Sequence, residues 1–203
     1  SNIFDCMASS QMPKDTDELL GNSVTLQLRE QNFTQDPKDV YAVRWSGGGG
    51  FGDPFDRAPE DIEDDLESLA ITENSAETLY GAILGKDGHV DVERTREHRA
   101  KIRKSRVTEI KKSNRKGQLL SENSHSINIM RDDAGTYWAC AKCDFELGDI
   151  SENYKEHCVT ENQSIAVSNP LIGDEARFID NAVEFRQFYC CQCGCLLDNE
   201  IAI

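Results

Sequence analysis

The chain has 203 residues, with 37 acidic and 22 basic side chains and a formal net charge of −15. This charge argues against nucleic acid as a partner, because a phosphate backbone would repel most of such a surface. The length allows one domain or two small ones, and the hydrophobic fraction of 38% with a mean hydropathy of −0.58 indicates a chain that relies on partner proteins.

The N-terminal region predicts two short strands. Residues 1–23 are polar and predict an extended lead-in, whereas Val24–Leu28 and Val40–Trp45 carry the apolar alternation that is typical of strands. Two strands alone cannot bury enough surface to be stable in water. We therefore expect them to extend a sheet that belongs to another polypeptide.

The glycine-rich stretch 46–54 has a sequence that could be mistaken for a nucleotide site. Gly47, Gly49 and Gly52 satisfy the G-x-G-x-x-G pattern of dinucleotide-binding folds. That pattern needs a helix opening at the glycines, but Asp53-Pro54 delays any helix and no second βαβ strand follows. A P-loop is excluded as well, since no Lys-Ser/Thr pair follows. The stretch therefore predicts a backbone hairpin that lies close against a neighbour.

Three helices are predicted after this stretch. Pro59 and the acids behind it are typical of a helix start, because they suit the first turn and its dipole. A second helix is predicted over Glu73–Tyr80, with Gly81 as its C-cap. Asp91 is expected to cap a third helix that continues to about Lys104.

Half of the basic residues lie in one run that begins in the third helix. Such a run favours a solvated helix face, with docking onto an acidic subunit surface or nucleic-acid binding as alternatives. The run comprises Arg94, Arg96, Arg99, Lys101, Arg103, Lys104, Arg106, Lys111, Lys112, Arg115 and Lys116.

Two C-x-x-C pairs, Cys140 with Cys143 and Cys190 with Cys193, predict a metal site. Each pair lets two thiolates converge on one ion, and two pairs complete the closed tetrahedral sulfur shell of a structural zinc. The alternatives are two disulfides, a redox pair, or thiols that only pack. Disulfides are disfavoured because the chain shows no secretory or membrane-spanning stretch, which predicts a cytoplasmic protein with reduced thiols. A redox pair lacks its βαβ context.

The identity of individual ligands stays open at three positions. Cys191 and Cys195 flank the second pair and could replace one of its members, although Gly194 favours Cys190 and Cys193 because glycine lets backbone N–H groups turn toward a sulfur. Cys158 is a reserve candidate. Cys6 lies far away in sequence and is expected to be an unligated thiol.

Strands are predicted to flank both cysteine pairs. Ile127–Met130 and Tyr137–Ala139 lead into the first pair, and Ala182–Tyr189 leads into the second. The interval 144–189, at 46 residues, is longer than usual and should contain an excursion of its own. The predicted fold class is α+β, in which short strands and helices complete a partner's domain and a zinc-ribbon-like β module follows. The predicted division is 1–104 as the first segment, 105–126 as a linker and 127–203 as the zinc-ribbon-like domain.

The segment Gly47–Glu60 resembles the C-terminal end of hydantoinase B/oxoprolinase-type subunits, where a glycine-rich G-G-G-G-aromatic-G-D-P precedes a proline-led helix. The resemblance covers about residues 20–103. It continues through four further elements, which are Thr72–Ala76, Tyr80–Leu84, Gly88–Asp91 and Thr95–Arg99.

The C-terminal half is similar to another family. Tyr137–Cys143, Glu152–Lys155 and Arg186–Asp198 resemble the cysteine knuckle, the N-aromatic-K step and the late cysteine motif of acetone carboxylase gamma subunits. The first knuckle of that family is tighter than the C-x-x-C found here, which leaves Cys140 less secure as a ligand than Cys143.

Both resemblances imply a non-catalytic small subunit of a heteromeric ATP-dependent ketone carboxylase of the acetone or acetophenone type. They imply large hydantoinase A-like and B-like partner subunits that bind ATP and Mg²⁺ and join a ketone to bicarbonate as a β-keto acid. For this chain they imply a structural zinc and no catalytic residue. The alternatives are a subunit of a hydantoinase- or oxoprolinase-type hydrolase and a free-standing zinc-ribbon adaptor.

Overall fold

A computed structural model describes most of the chain, which clusters into two compact units, 1–49 and 50–203. No helix among the described residues is long and apolar enough to cross a membrane. The described residues are 1–13, 16–26, 32–42, 50, 52–107, 110–111, 113–167 and 179–203.

The first unit contains one short α-helix, α1 (Ile3–Ser9), where the sequence predicted an extended lead-in. The helix has seven residues and buries none of them, and so short a segment gives only a weak helical signal in the sequence. Its N-terminus is tied down by Asn2, whose side-chain oxygen accepts a 2.8 Å hydrogen bond from the Leu20 backbone N–H.

The two strands predicted in this unit are absent from its described part. Residues 24–26 and 40–42 form no ladder there, and the other halves of both predictions lie outside the described residues. A strand needs a paired neighbour to bury its surface, and the described residues of this unit supply none. Several large apolar side chains consequently face solvent in the isolated chain. They are Phe4, Met7, Met12, Leu20, Val24, Leu26, Phe33, Val40 and Tyr41.

The second unit begins with the three predicted helices, which the structure confirms. They are α2 (Pro59–Glu67), α3 (Glu73–Tyr80) and α4 (Val92–Ser105). The Asp91 carboxylate accepts a 3.0 Å hydrogen bond from the Arg94 N–H and so caps α4 as expected. Gly81 ends α3 at φ 60°, the left-handed conformation that glycine adopts at little cost. Ile62, Ala76 and Ala82 form a small buried core among these helices.

Two antiparallel sheets follow the helices. The first has the order β1-β2-β3-β4 and the second β5-β6-β7. The strands predicted before each cysteine pair are confirmed, while β1 lies within the predicted linker and β5 within the predicted excursion. The strands are β1 (Gln118–Glu122), β2 (Ile127–Asp132), β3 (Gly135–Cys140), β4 (Glu146–Asp149), β5 (Val159–Ser164), β6 (Glu184–Tyr189) and β7 (Leu196–Ala202).

The sheets repeat one arrangement. Strands β2-β3-β4 of the first sheet and β5-β6-β7 of the second each form an antiparallel meander. One cysteine turn joins β3 to β4, and the other joins β6 to β7. Ile127 and Leu147 from the first sheet and Leu197 from the second share one buried cluster with the cysteines. The α+β class and a zinc-ribbon-like C-terminal module are thus confirmed. The proposed division into domains is not tested by these contacts and stays a prediction.

Candidate metal centre

The four cysteines predicted as ligands come together between the two sheets. The sulfur atoms of Cys140, Cys143, Cys190 and Cys193 all lie within 4.8 Å of one another. The Cys140 and Cys193 sulfurs are 3.8 Å apart, and those of Cys143 and Cys190 are 3.6 Å apart. Tetrahedral zinc with bonds of about 2.3 Å would place its sulfurs about 3.8 Å from one another. The spacing therefore fits a single zinc ion with four thiolates.

The backbone of each cysteine turn explains how two sulfurs face one point. In the first turn the Cys140 N–H donates to the Phe145 carbonyl at 2.9 Å, and the Asp144 N–H donates to the Cys140 carbonyl at 2.9 Å. The second turn has the same pair of bonds at the same spacing: the Cys190 N–H donates to the Cys195 carbonyl at 3.0 Å, and the Gly194 N–H donates to the Cys190 carbonyl at 2.9 Å. Both turns therefore hold their sulfurs in place through the main chain.

A left-handed residue follows the second cysteine of each turn. Asp144 has φ 57° and Gly194 has φ 69°. Glycine adopts this conformation freely, and aspartate is among the residues that tolerate it. The glycine is a sequence signal for the second turn, whereas Asp144 gives no such signal for the first.

The electrostatics of the cluster favour thiolate formation at one sulfur. Hydrogen bonds from the thiols of Cys140, Cys143 and Cys190 hold the pKa of Cys193 well below its ordinary value. Cys140 and Cys190 are fully buried, so the charges gathered there would need a cation close by. A bound divalent metal supplies that charge and displaces the thiol protons.

The three reserve cysteines point away from the cluster. Cys191 donates to the His157 carbonyl at 3.0 Å, Cys158 to the Tyr154 carbonyl at 3.2 Å, and Cys195 to the Leu196 carbonyl at 3.6 Å. Burial raises the pKa of both Cys158 and Cys195 to about 12. The choice of Cys140, Cys143, Cys190 and Cys193 as ligands stays a prediction, which the closeness of their four sulfur atoms favours.

The turn at Asp53 packs directly on the second cysteine turn. The Asp53 carboxylate is fully buried. One of its oxygens accepts hydrogen bonds from Arg103 Nε at 3.1 Å and from the Leu196 N–H at 3.1 Å, while the other caps the Phe55 N–H at 3.0 Å. Arg106 donates to the Gly194 carbonyl at 3.1 Å. The Gly52-Asp53-Pro54 element thus holds the second cysteine turn in place, and we call it the Asp53 bracket.

A second carboxylate connects the same bracket to the first cysteine turn. Asp56 accepts a 2.8 Å hydrogen bond from Arg103 and another from the Lys142 ammonium, which lies between Cys140 and Cys143. Although burial alone would raise the pKa of Asp56, the hydrogen bonds from Lys142 and Arg103 hold it below its ordinary value. Both cysteine turns are therefore linked to the residues that precede the helices.

In α4 and at the residue that follows it, the basic run turns inward at three positions that the sequence did not reveal. Arg99 is only 6% exposed and donates to the carbonyls of Tyr80, Phe55 and Arg57. The other two are Arg103 and Arg106, which bind the Asp53 bracket. Arg99 donates hydrogen bonds to backbone carbonyls that lack backbone partners, and Arg103 and Arg106 balance the charge of buried carboxylates. The polar sequence of α4 gave no signal of this role, because the partners of these arginines lie 19 to 88 positions away in the chain.

The predicted glycine hairpin is only partly within the described residues, since 47–49 and 51 lie outside them. The described Gly52 has φ 74°, and a Cβ placed there would lie 2.5 Å from the His125 ring. This close approach agrees with the expectation of a backbone held against a neighbour.

Comparison with known proteins adds a family to this geometry. Residues 117–203 match the family described as the acetone carboxylase gamma subunit, and all four clustered cysteines lie within the match. The chain is also 41% identical over 73 residues to the acetone carboxylase alpha subunit of Xanthobacter autotrophicus. That alignment covers 34% of this chain and 9% of the relative.

The family match confirms the resemblance predicted for the C-terminal region. The resemblance of residues 20–103 to hydantoinase B stays a prediction.

Proposed function

We propose that this chain is a non-catalytic, zinc-binding small subunit of a heteromeric, ATP-dependent ketone carboxylase. The observation that carries the proposal is the coincidence of two findings on the same residues. The region that matches the acetone carboxylase gamma subunit is the region in which four sulfurs gather at zinc-ligand spacing. The zinc joins the two sheets and has a structural role.

The proposed role is structural because of the chemistry of the ligands. Four cysteine sulfurs fill the tetrahedral shell of zinc and leave no position for water or substrate, whereas catalytic zinc keeps such a position open. Cys140, Cys143, Cys190 and Cys193 would hold the ion. ATP and Mg²⁺ would bind to the larger subunits, which would carry out the carboxylation.

Docking onto the larger subunits would involve the first unit. The described residues of 1–42 leave nine large apolar side chains substantially exposed, from Phe4 to Tyr41. Exposed apolar side chains gathered in one short region are typical of surfaces that a partner covers. The partial match to an acetone carboxylase alpha subunit supports a partner of that type.

The proposal is tested by co-expression with candidate large subunits from the same genome. The complex should be isolated with this chain present, and it should consume a ketone only when ATP and bicarbonate are supplied. The matched control is a chain with Phe4, Met7 and Phe33 replaced by serine, which keeps the zinc centre but should fail to join the complex. Isolation of this chain alone as a monodisperse protein in every case would contradict the proposal.

The same experiment separates the carboxylase from the hydrolase of the hydantoinase or oxoprolinase type. A hydrolase would consume its cyclic amide with ATP and without bicarbonate. A free-standing adaptor acting through the basic run is less well supported, because Arg99, Arg103 and Arg106 are occupied within the fold.

A further inference from the structure

A second group of metal-binding side chains lies in the helical part of the second unit. One ligand atom from each of Glu63, Glu67 and His89 lies within 4.8 Å of the other two. The glutamates stand one helical turn apart on α2, where side chains at i and i+4 share a face. The imidazole comes from a different element, the hairpin between Leu84 and Val90. None of these residues contributes to the four-cysteine cluster.

The hairpin holds the imidazole in a fixed position relative to the helix. The Gly85 N–H donates to the His89 carbonyl at 2.8 Å, and the Val90 N–H donates to the second Glu63 oxygen at 2.7 Å. The first Glu63 oxygen meets His89 Nδ1 directly. Glu63 is therefore oriented by the main chain, as ligands in metal sites are oriented by the groups around them.

The Glu63–His89 contact joins two members of the group, and Glu67 adds a second carboxylate beside the same imidazole. Glu67 brings a second carboxylate close to the first, which costs energy through like-charge repulsion. It is also the last residue of α2, where the helix dipole disfavours a negative charge. Two carboxylates carry two negative charges, which one divalent cation would balance while taking the place of a proton on the imidazole.

We propose that Glu63, Glu67 and His89 form a solvent-accessible binding site for a divalent transition-metal ion, separate from the cysteine centre. Mixed nitrogen and oxygen ligands favour ions such as Zn²⁺ or Co²⁺ over Mg²⁺ and Ca²⁺, which prefer oxygen alone. His89 and Glu67 are exposed, so water would complete the coordination shell. The exposed position makes this an exchangeable site, in contrast to the closed sulfur shell.

The test uses the full chain with its cysteines already loaded with zinc, and Co²⁺ as the probe. Calorimetry in excess Mg²⁺ should show about one further equivalent of Co²⁺. The bound Co²⁺ should give weak d–d absorption without the intense thiolate-to-cobalt charge-transfer band. Glu67→Gln, which alters an exposed side chain, should weaken binding at least about tenfold, and His89→Ala should do the same.

The matched control is Asp64→Asn, which removes the same charge from the exposed surface of the same helix without touching the group. Its affinity should stay within about twofold of the unmodified chain. An equal loss in Asp64→Asn would show diffuse attraction to an acidic helix and would overturn the proposal. Absence of a further equivalent, or absorption by thiolate-bound cobalt alone, would overturn it too.

Discussion

The two cysteine turns have the same backbone but different surroundings. Asp144 in the first turn and Gly194 in the second both adopt left-handed φ after the last cysteine. Asp144 is exposed to solvent. At Gly194 an added Cβ would lie 2.0 Å from the Arg103 carbonyl oxygen at the end of α4. The first turn can therefore carry a side chain where the second cannot.

This difference shows how the metal centre is built into the rest of the chain. The first turn is attached through a side chain, since Lys142 binds Asp56. The second is attached through main-chain contact, since Leu196 and Gly194 bind Asp53 and Arg106 directly. A flexible lysine can follow small movements, whereas a backbone contact fixes both partners. We expect the second turn to be the more sensitive to substitution.

The largest effect should follow from removing the metal. Because one ion would hold both turns, a strong chelator should abolish the cooperative melting of residues 117–203 and expose the amides of both sheets together. Structural zinc sites contribute about 10 kcal/mol or more to folding. Hydrogen exchange at Cys140 and Cys190 reports on each turn. Loss of protection at one turn alone, with the other unchanged, would contradict a shared ion.

The next largest effect is expected for Asp53→Ala. Removing this buried carboxylate leaves Arg106 without its counter-charge, Arg103 with Asp56 alone, and the Leu196 N–H without an acceptor. Breaking a buried ion pair in this way costs about 3–5 kcal/mol in the free energy of unfolding. Urea unfolding of the zinc-loaded chain measures the loss. Asp144→Ala is the control at the first turn, and a comparable loss there would show that the bracket has no special role.

A smaller effect is expected when alanine replaces Gly194 and glycine replaces Asp144, the two residues with left-handed φ. Gly194→Ala adds left-handed strain and a clash with Arg103, which together cost about 2–4 kcal/mol. Asp144→Gly relieves strain at an exposed position and should change stability by less than about 1 kcal/mol. Thermal melting of the two zinc-loaded variants gives the comparison. Equal melting temperatures would argue against the packing of α4 on the second turn.

The smallest effect is one of reactivity. Burial raises the pKa of Cys158 and Cys195 to about 12, so neither thiol forms much thiolate near neutral pH. In the zinc-loaded chain both should resist iodoacetamide while Cys6 is modified. Because thiolate is the reacting form, their slow modification should rise about tenfold per pH unit below that pKa. Peptide mapping by mass spectrometry follows each site, and rapid labelling of Cys195 at neutral pH would contradict its assignment as a buried thiol.

The sequence predicted those parts of the fold that depend on local signals. The proline at position 59, the cap at Asp91 and the glycine at 81 identify three helices because capping is a property of a few neighbouring residues. The C-x-x-C spacing likewise identified the four clustered cysteines, since the turn that each pair needs is local. The resemblance of the C-terminal region to the gamma subunit depended on the same motifs.

The parts that sequence reasoning missed depend on distant partners. The helix α4 has few apolar residues. Its sequence does not indicate that Arg99 and Arg103 turn inward, because the carbonyls and carboxylates that accept their hydrogen bonds are far away in sequence. The strand β1 lies in the predicted linker 105–126, which is rich in Lys, Ser, Asn and Gln, and all five of its residues are exposed. Pairing with β2, and not the pattern of β1, makes it a strand.

The central claim is that Cys140, Cys143, Cys190 and Cys193 share one zinc ion. Its most direct test is the zinc content of the purified full chain and of single serine variants, measured by elemental analysis. The account predicts about one zinc per chain, lost in Cys143→Ser and Cys193→Ser and kept in the neighbouring variants Cys158→Ser and Cys191→Ser. Retention of zinc by Cys193→Ser, together with its loss from Cys191→Ser, would contradict the claim.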